Sequence, residues 1–156
     1  MLSIVIPLFN ERESLETLYR ELKEVLDTLG NKYEIIFVND GSMDGSTDIL
    51  ASICSRDPLV TALHLRRNFG KAAALAEGFK EASGDIIFTL DADLQDDPKE
   101  IPNFLAKLSE GYDLVSGWKF KRFDPRSKTL PSKLFNKVAS RTTGVDLHDF
   151  NCGFKA

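Results

Sequence analysis

Two alternating periodicities constrain this chain more than any single motif. LSIVIPL (2–8), YEIIFVN (33–39), LVTALHL (59–65), DIIFTLD (85–91) and YDLVSGW (112–118) are apolar, β-branched-rich runs of strand length. The segments between them carry helical spacing. Leu15, Leu18, Tyr19, Leu22, Val25, Leu26 and Leu29 form one apolar face that stops near Gly30. Residues 72–82, around Leu75, Ala76 and Phe79, and residues 101–108 read similarly. Strands apolar on both faces, alternating with helices, predict an α/β fold with a mostly parallel sheet covered on both sides.

At 156 residues the chain suits one domain, and no apolar run approaches the ~20 residues of a bilayer span. Its two cysteines, Cys54 and Cys152, have no CxxC spacing, which fits a reducing compartment and argues against a disulfide framework or structural zinc. The net charge of −4 conceals an asymmetry: residues 117–141 hold eight Lys/Arg against one acid, Asp124. A basic stretch beside an acidic remainder points either to one local anionic partner or to a solvated basic face, and not to general nucleic-acid affinity.

In a parallel sheet, ligands bind beyond the carboxyl ends of the strands. There the chain places PLFNE, NDGSMDGS, DADLQDD and SGWKFKR, all on one edge. In FTLDADLQDDP, Asp91 and Asp93 flank small Ala92, and two carboxylates with open coordination suit Mg²⁺ or Mn²⁺; Gln95 adds a neutral carbonyl. Asp96 and Asp97 precede Pro98, where they read instead as the start of a helix, with Asp97 its N-cap. Asp40 and Ser42 either contact a base or ribose or simply form a turn, for which Asp44 and Ser46 would suffice. Lys71 either reaches a phosphate or faces solvent. Neither GxGxxG nor GxxxxGK[ST] occurs, so a metal is the expected agent for holding a diphosphate.

PLFNE, NDGS, RNFGKAAAL, DADLQDDP and HDFNCGFKA, in this order, resemble the family 2 glycosyltransferases, and among them the polyprenyl-phosphate sugar transferases. The resemblance spans essentially the whole chain. It implies a GT-A fold, a Rossmann-like sheet carrying a metal and a sugar-nucleotide diphosphate. Pro7, Phe9, Asn10 and Glu11 would border the nucleotide, with Asp40, Ser42, Lys71 and Asp91; Asp91, Asp93 and Gln95 would hold the metal. Asp93 and Asp149 would serve catalysis, although Asp149 equally suits a turn cap. Lys119, Arg126, Lys128, Ser132 and Lys133 would bind the acceptor phosphate. Lysine replaces the arginine common at 119 and 128, exchanging a bidentate contact for a point charge.

The resemblance thus implies inverting, metal-dependent transfer of a hexose from a UDP- or GDP-sugar to undecaprenyl or dolichyl phosphate. A saccharide hydroxyl acceptor, or a non-catalytic sugar-nucleotide-binding module of a membrane assembly, are the alternatives. Residues 1–156 are expected to be a catalytic domain cut short at its carboxyl end. Soluble by itself, it would meet the cytoplasmic membrane face through later elements, and a homo-oligomer is compatible with this arrangement.

Overall fold

In the computed structural model, which describes residues 1–117 and 152–156, four of the five apolar runs become parallel strands. β1 spans Leu2–Leu8, β2 Tyr33–Asn39, β3 Val60–His64 and β4 Ile86–Thr89, in spatial order β3-β2-β1-β4. Leu8 pairs with Asn39, Asn39 with His64, and Val5 with Thr89. Helices α1 (Arg12–Leu29), α2 (Ser46–Arg56) and α3 (Lys71–Glu81) fill the connections, and α4 (Ile101–Ser109) follows β4. α1 ends at Gly30, as its apolar stripe predicts.

Strand alternation sorts the core into two layers. Ile4 and Ile6 of β1 and Ile35 and Phe37 of β2 pack with Leu15, Leu18 and Leu22 of α1, Leu50 and Ile53 of α2, and Phe104 of α4. Their neighbours Val5, Ile36 and Val38 point the other way, onto Ala74 of α3. Every residue of β1 is buried, which is why that strand carries no polar alternation. The chain steps outward from β1 to β3 along one face. It then returns under the sheet through α3 to pair β4 on the far side of β1, opening a crevice at the reversal.

The fifth run departs from expectation. Residues 112–117 form no strand; Ser116 makes a single antiparallel bridge to Lys155, and Lys155 bridges Thr89 in turn. The place beside β4 is taken by residues 154–156, running antiparallel. The Thr89 N–H donates to Lys155 O at 2.9 Å, the Lys155 N–H returns to Thr89 O at 3.1 Å, and the Gly117 N–H donates to Phe154 O at 2.9 Å. Tyr112 and Leu114 stay exposed, so the run lacks the two-sided burial that marks the true parallel strands. DIIFTLD also leaves the strand early, because β4 ends at Thr89 and Asp91 lies on the turn beyond it. Among the described residues, no helix is long and apolar enough to cross a membrane.

One ion pair, its carboxylate buried, ties α1 to the turn before β3. Asp57 accepts from the Leu59 N–H and the Tyr19 hydroxyl, both at 2.9 Å, and pairs with Lys23 Nζ at 3.1 Å. Burial raises its carboxyl, but these donors outweigh burial and hold it below the usual range. A depressed carboxyl contributes stability that is present above its unfolded pKa, about 3.9, and lost as pH falls through the lower folded value. Asp57→Asn is therefore expected to cost about 1–3 kcal/mol at neutral pH, with the gap to wild type closing on acidification, as thermal melts across pH 2–7 would record.

Candidate active site

Loops from all four strand ends interlock before any ligand is considered. After β1, Asn10 adopts a left-handed backbone (φ 59°), which its short polar side chain tolerates. Its N–H donates to Ser42 Oγ at 2.8 Å, and its side-chain oxygen accepts from the Met43 N–H at 2.9 Å. Buried Asn39 accepts from the Ser42 N–H at 2.9 Å, donates to Thr47 Oγ1 at 3.0 Å, and faces His64 Nδ1 at 3.2 Å. His64 itself is exposed at the end of β3. Asp44 takes the Arg12 N–H at 2.9 Å, capping α1 from another loop. Burial raises the Asp44 carboxyl, but bonds from the Ser46 hydroxyl and the amides of Arg12 and Ser46 prevail and lower it.

Asp40 is 3% exposed, and its carboxylate is met by two backbone amides: the Phe69 N–H on Oδ1 and the Gly70 N–H on Oδ2, each at 2.8 Å. Those bonds fix the start of α3, where Lys71 is the first residue. Gly41 makes the close approach possible. At φ 74° it sits so near the β3–α3 loop that a Cβ would lie 2.5 Å from the carbonyl carbon of Arg67. From this anchored position Lys71 Nζ forms an ion pair with Asp91 Oδ1.

The acidic turn after β4 divides its labour. The Asp91 N–H donates to Asp96 Oδ2 at 3.2 Å, so buried Asp96 braces the turn and does not start the helix. Asp97 does cap: its side chain accepts from the Lys99 N–H at 3.0 Å over a 3₁₀ turn at Pro98–Glu100. Asp93 accepts from the Gln95 N–H at 3.1 Å, and Leu94 between them is left-handed (φ 61°). The strip at the chain end closes the far side. Thr89 Oγ1 donates to Gly153 O at 2.7 Å, and a Cβ on Gly153 would fall 2.3 Å from Asp91 Oδ2.

Together these loops enclose a cleft of about 250 Å³, lined by Pro7, Phe9, Glu11, Asp40, Lys71, Asp91 and Asp93 of the expected residues. Asn10 and Ser42 stitch the loops outside it, and exposed Gln95 does not line it. Asn68, Gly70 and Ala74 also line it, a contribution that the focus on Lys71 alone misses. Phe69, beside them, carries the Arg67 guanidinium 4.6 Å from its ring centre; the polar RRN stretch before a glycine was the available signal. The remaining expected residues, Lys119, Arg126, Lys128, Ser132, Lys133 and Asp149, lie outside the described residues.

The cleft is electrostatically unbalanced. Burial, then the charge of Asp93, raise the Glu11 carboxyl; Asp44 and Asp91 add to this against a hydrogen bond from Ser14. Among the described residues, no three His, Cys, Asp or Glu side chains form a ready-made metal cage. A pair of hard carboxylates in a negative cleft still fits a Mg²⁺- or Mn²⁺-type ion, which takes few protein ligands and completes its shell with water and phosphate oxygens.

Strand order, reversal crevice and acidic strand-four turn together define a GT-A glycosyltransferase fold. The chain belongs to glycosyltransferase family 2, whose model (Glycosyl transferase family 2) matches residues 3–156. It is 43% identical over 155 residues to an undecaprenyl-phosphate 4-deoxy-4-formamido-L-arabinose transferase of Shewanella sediminis, covering 99% of this chain and 47% of that one. A protein of the same name from Pseudomonas aeruginosa is 41% identical over 157 residues, covering 100% and 46%. The chain thus spans about half the length of the curated relatives it matches. Among solved structures, it resembles the mannosyltransferase PcManGT from Pyrobaculum calidifontis in complex with GDP-Man and Mn²⁺. That likeness has TM-score 0.67 and 25% identity, over 76% of this chain and 35% of that one. The fold also matches glucosyl-3-phosphoglycerate synthase from Mycobacterium tuberculosis, with TM-score 0.74 and 22% identity over 99% and 55%.

Gly41→Ala tests the interlock. The added methyl meets backbone at an unfavourable φ, so stability is expected to fall by about 1–3 kcal/mol in denaturant titration.

Proposed function

We propose that residues 1–156 are the donor-binding catalytic part of an inverting transferase that moves a sugar from a nucleoside diphosphate to a polyprenyl phosphate at the cytoplasmic membrane face. The observation that carries this reading is the acidic cleft at the sheet reversal, with Asp91 and Asp93 on one turn and Lys71 set against them. The acceptor half is supported by relatives named for undecaprenyl phosphate, at 41–43% identity across the whole chain. Those relatives are named for an arabinose derivative, a pentose, whereas the resemblance by itself implies a hexose.

Asp91 and Asp93 would hold a divalent cation, a reading supported by the Mn²⁺ in the PcManGT complex. When bound, that cation would neutralise charge developing on the leaving diphosphate. Phe9 and Pro7 line the cleft together with Asp40 and offer an apolar wall to a nucleoside. Glu11, crowded by Asp93, Asp44 and Asp91, adds to the negative potential that draws a cation in. A phosphate monoester acceptor is mostly ionised at pH 7, with a second pKa of about 6. It therefore needs cationic side chains to position it more than a base to activate it. Lys119, Arg126, Lys128, Ser132 and Lys133 supply that chemistry in sequence, and Asp149 would orient the sugar or accept a proton.

The test is calorimetry on the full-length protein with UDP- and GDP-sugars, with and without Mn²⁺, followed by labelled transfer to a short polyprenyl phosphate or to a free saccharide. Metal-dependent donor binding and transfer to the lipid phosphate alone are expected. Asp91→Asn and Asp93→Asn should each lower turnover by about 10²–10³-fold. Donor binding that ignores both metal and Asp93→Asn would overturn the metal assignment.

A further inference from the structure

Lys71 stands where a bound cation would compete with it. Among the described residues lining the cleft it is the sole cation, against the carboxylates of Glu11, Asp40, Asp91 and Asp93. Its partner is fixed. Asp91 is braced at its N–H by Asp96, backed at Oδ2 by the backbone of Gly153, and only 26% exposed. The base of Lys71 is fixed too, because Asp40 holds the amides of Phe69 and Gly70 immediately before it. Its ammonium is not fixed in this way: the side chain is 51% exposed on a four-carbon stem. It also borders a second, more apolar pocket, formed with Leu75, Phe79, Ile87 and Gly153, which leaves room on either side for the stem to swing.

An anchored anion with a tethered, half-exposed cation is an exchange site. We propose that Lys71 is an exchangeable counter-ion: it occupies Asp91 in the ligand-free protein and passes to the donor's diphosphate when a divalent cation takes its place. The inference rests on the donor reading above and deepens it. Lys71 would then oppose entry of the metal alone and favour entry of metal and diphosphate together. Half of the charge balance is preformed, and it is moved across the cleft without being created anew. Asp40 acts through Lys71 as a positioning residue.

The experiment compares wild type, Lys71→Met and Lys71→Arg full-length protein by calorimetry, with Mn²⁺ alone and then with UDP or GDP at saturating Mn²⁺. Lys71→Met is expected to bind Mn²⁺ alone about fivefold more tightly, the scale of an exposed ion pair. It should bind the nucleoside diphosphate about tenfold more weakly, having lost a charge-assisted contact. Lys71→Arg should stay near wild type in the first measurement, and Asp91→Asn should lose Mn²⁺ binding altogether. Unchanged or weaker Mn²⁺ binding by Lys71→Met, with a melt matching wild type, overturns the exchange. Tightening in both measurements overturns it as well. Absence of nucleotide binding by wild type overturns the donor reading instead, a separate result because the Mn²⁺-alone comparison needs no nucleotide.

Discussion

The structure depends on β1, a strand buried along its whole length and paired in parallel on both sides. Parallel pairing cannot be closed by a hairpin, so each neighbour must arrive through a helix, and every strand then leaves at the same edge. Once Leu2–Leu8 is committed to the middle, the loops after β1, β2, β3 and β4 are forced together. The cleft is a topological product of hydrophobic burial before it is a chemical one.

Polar groups trapped at that edge then do the fine positioning. Asp40 and Asn39 are almost inaccessible, and an unpaired polar group there would cost about 1–3 kcal/mol. Their partners are backbone amides and side chains of neighbouring loops, so satisfying them fixes where those loops lie. Asp44 and Asp96 repeat the device, each bonding an amide of a residue that leads toward the cleft. Asp40, Asp44 and Asp96 therefore act as braces. Of the carboxylates that give the cleft its charge, Asp91 is the one braced by such a neighbour, Asp96.

Much of this was legible beforehand because it rests on periodicity. The parallel strands, the two-sided helices, the end of α1 at Gly30 and the cap at Asp97 all follow from local pattern. Pattern failed where long-range pairing decides. YDLVSGW has a strand's composition, but its place beside β4 goes to residues 154–156, far away in sequence and too few to show any period. The same limit applies within the site. Nothing local says that Asn10 and Ser42 bond each other, that Asp96 turns back to Asp91, or that Gln95 stays outside the cleft. Those outcomes depend on which loop happens to face which, a fact of topology that no seven-residue window contains.

The antiparallel strip at residues 154–156, with Gly153 just before it, has a consequence in time. A nascent chain that has emerged only through Pro98 already carries the sequence of all four parallel strands and of α1, α2 and α3, but not that of α4. It does not yet possess Gly153 behind Asp91 or Lys155 along Thr89. During vectorial synthesis the parallel strands thus emerge some fifty residues before Gly153, the last wall of the acidic turn. Through that interval the carboxylates of the acidic turn stand at an edge that still lacks its last wall.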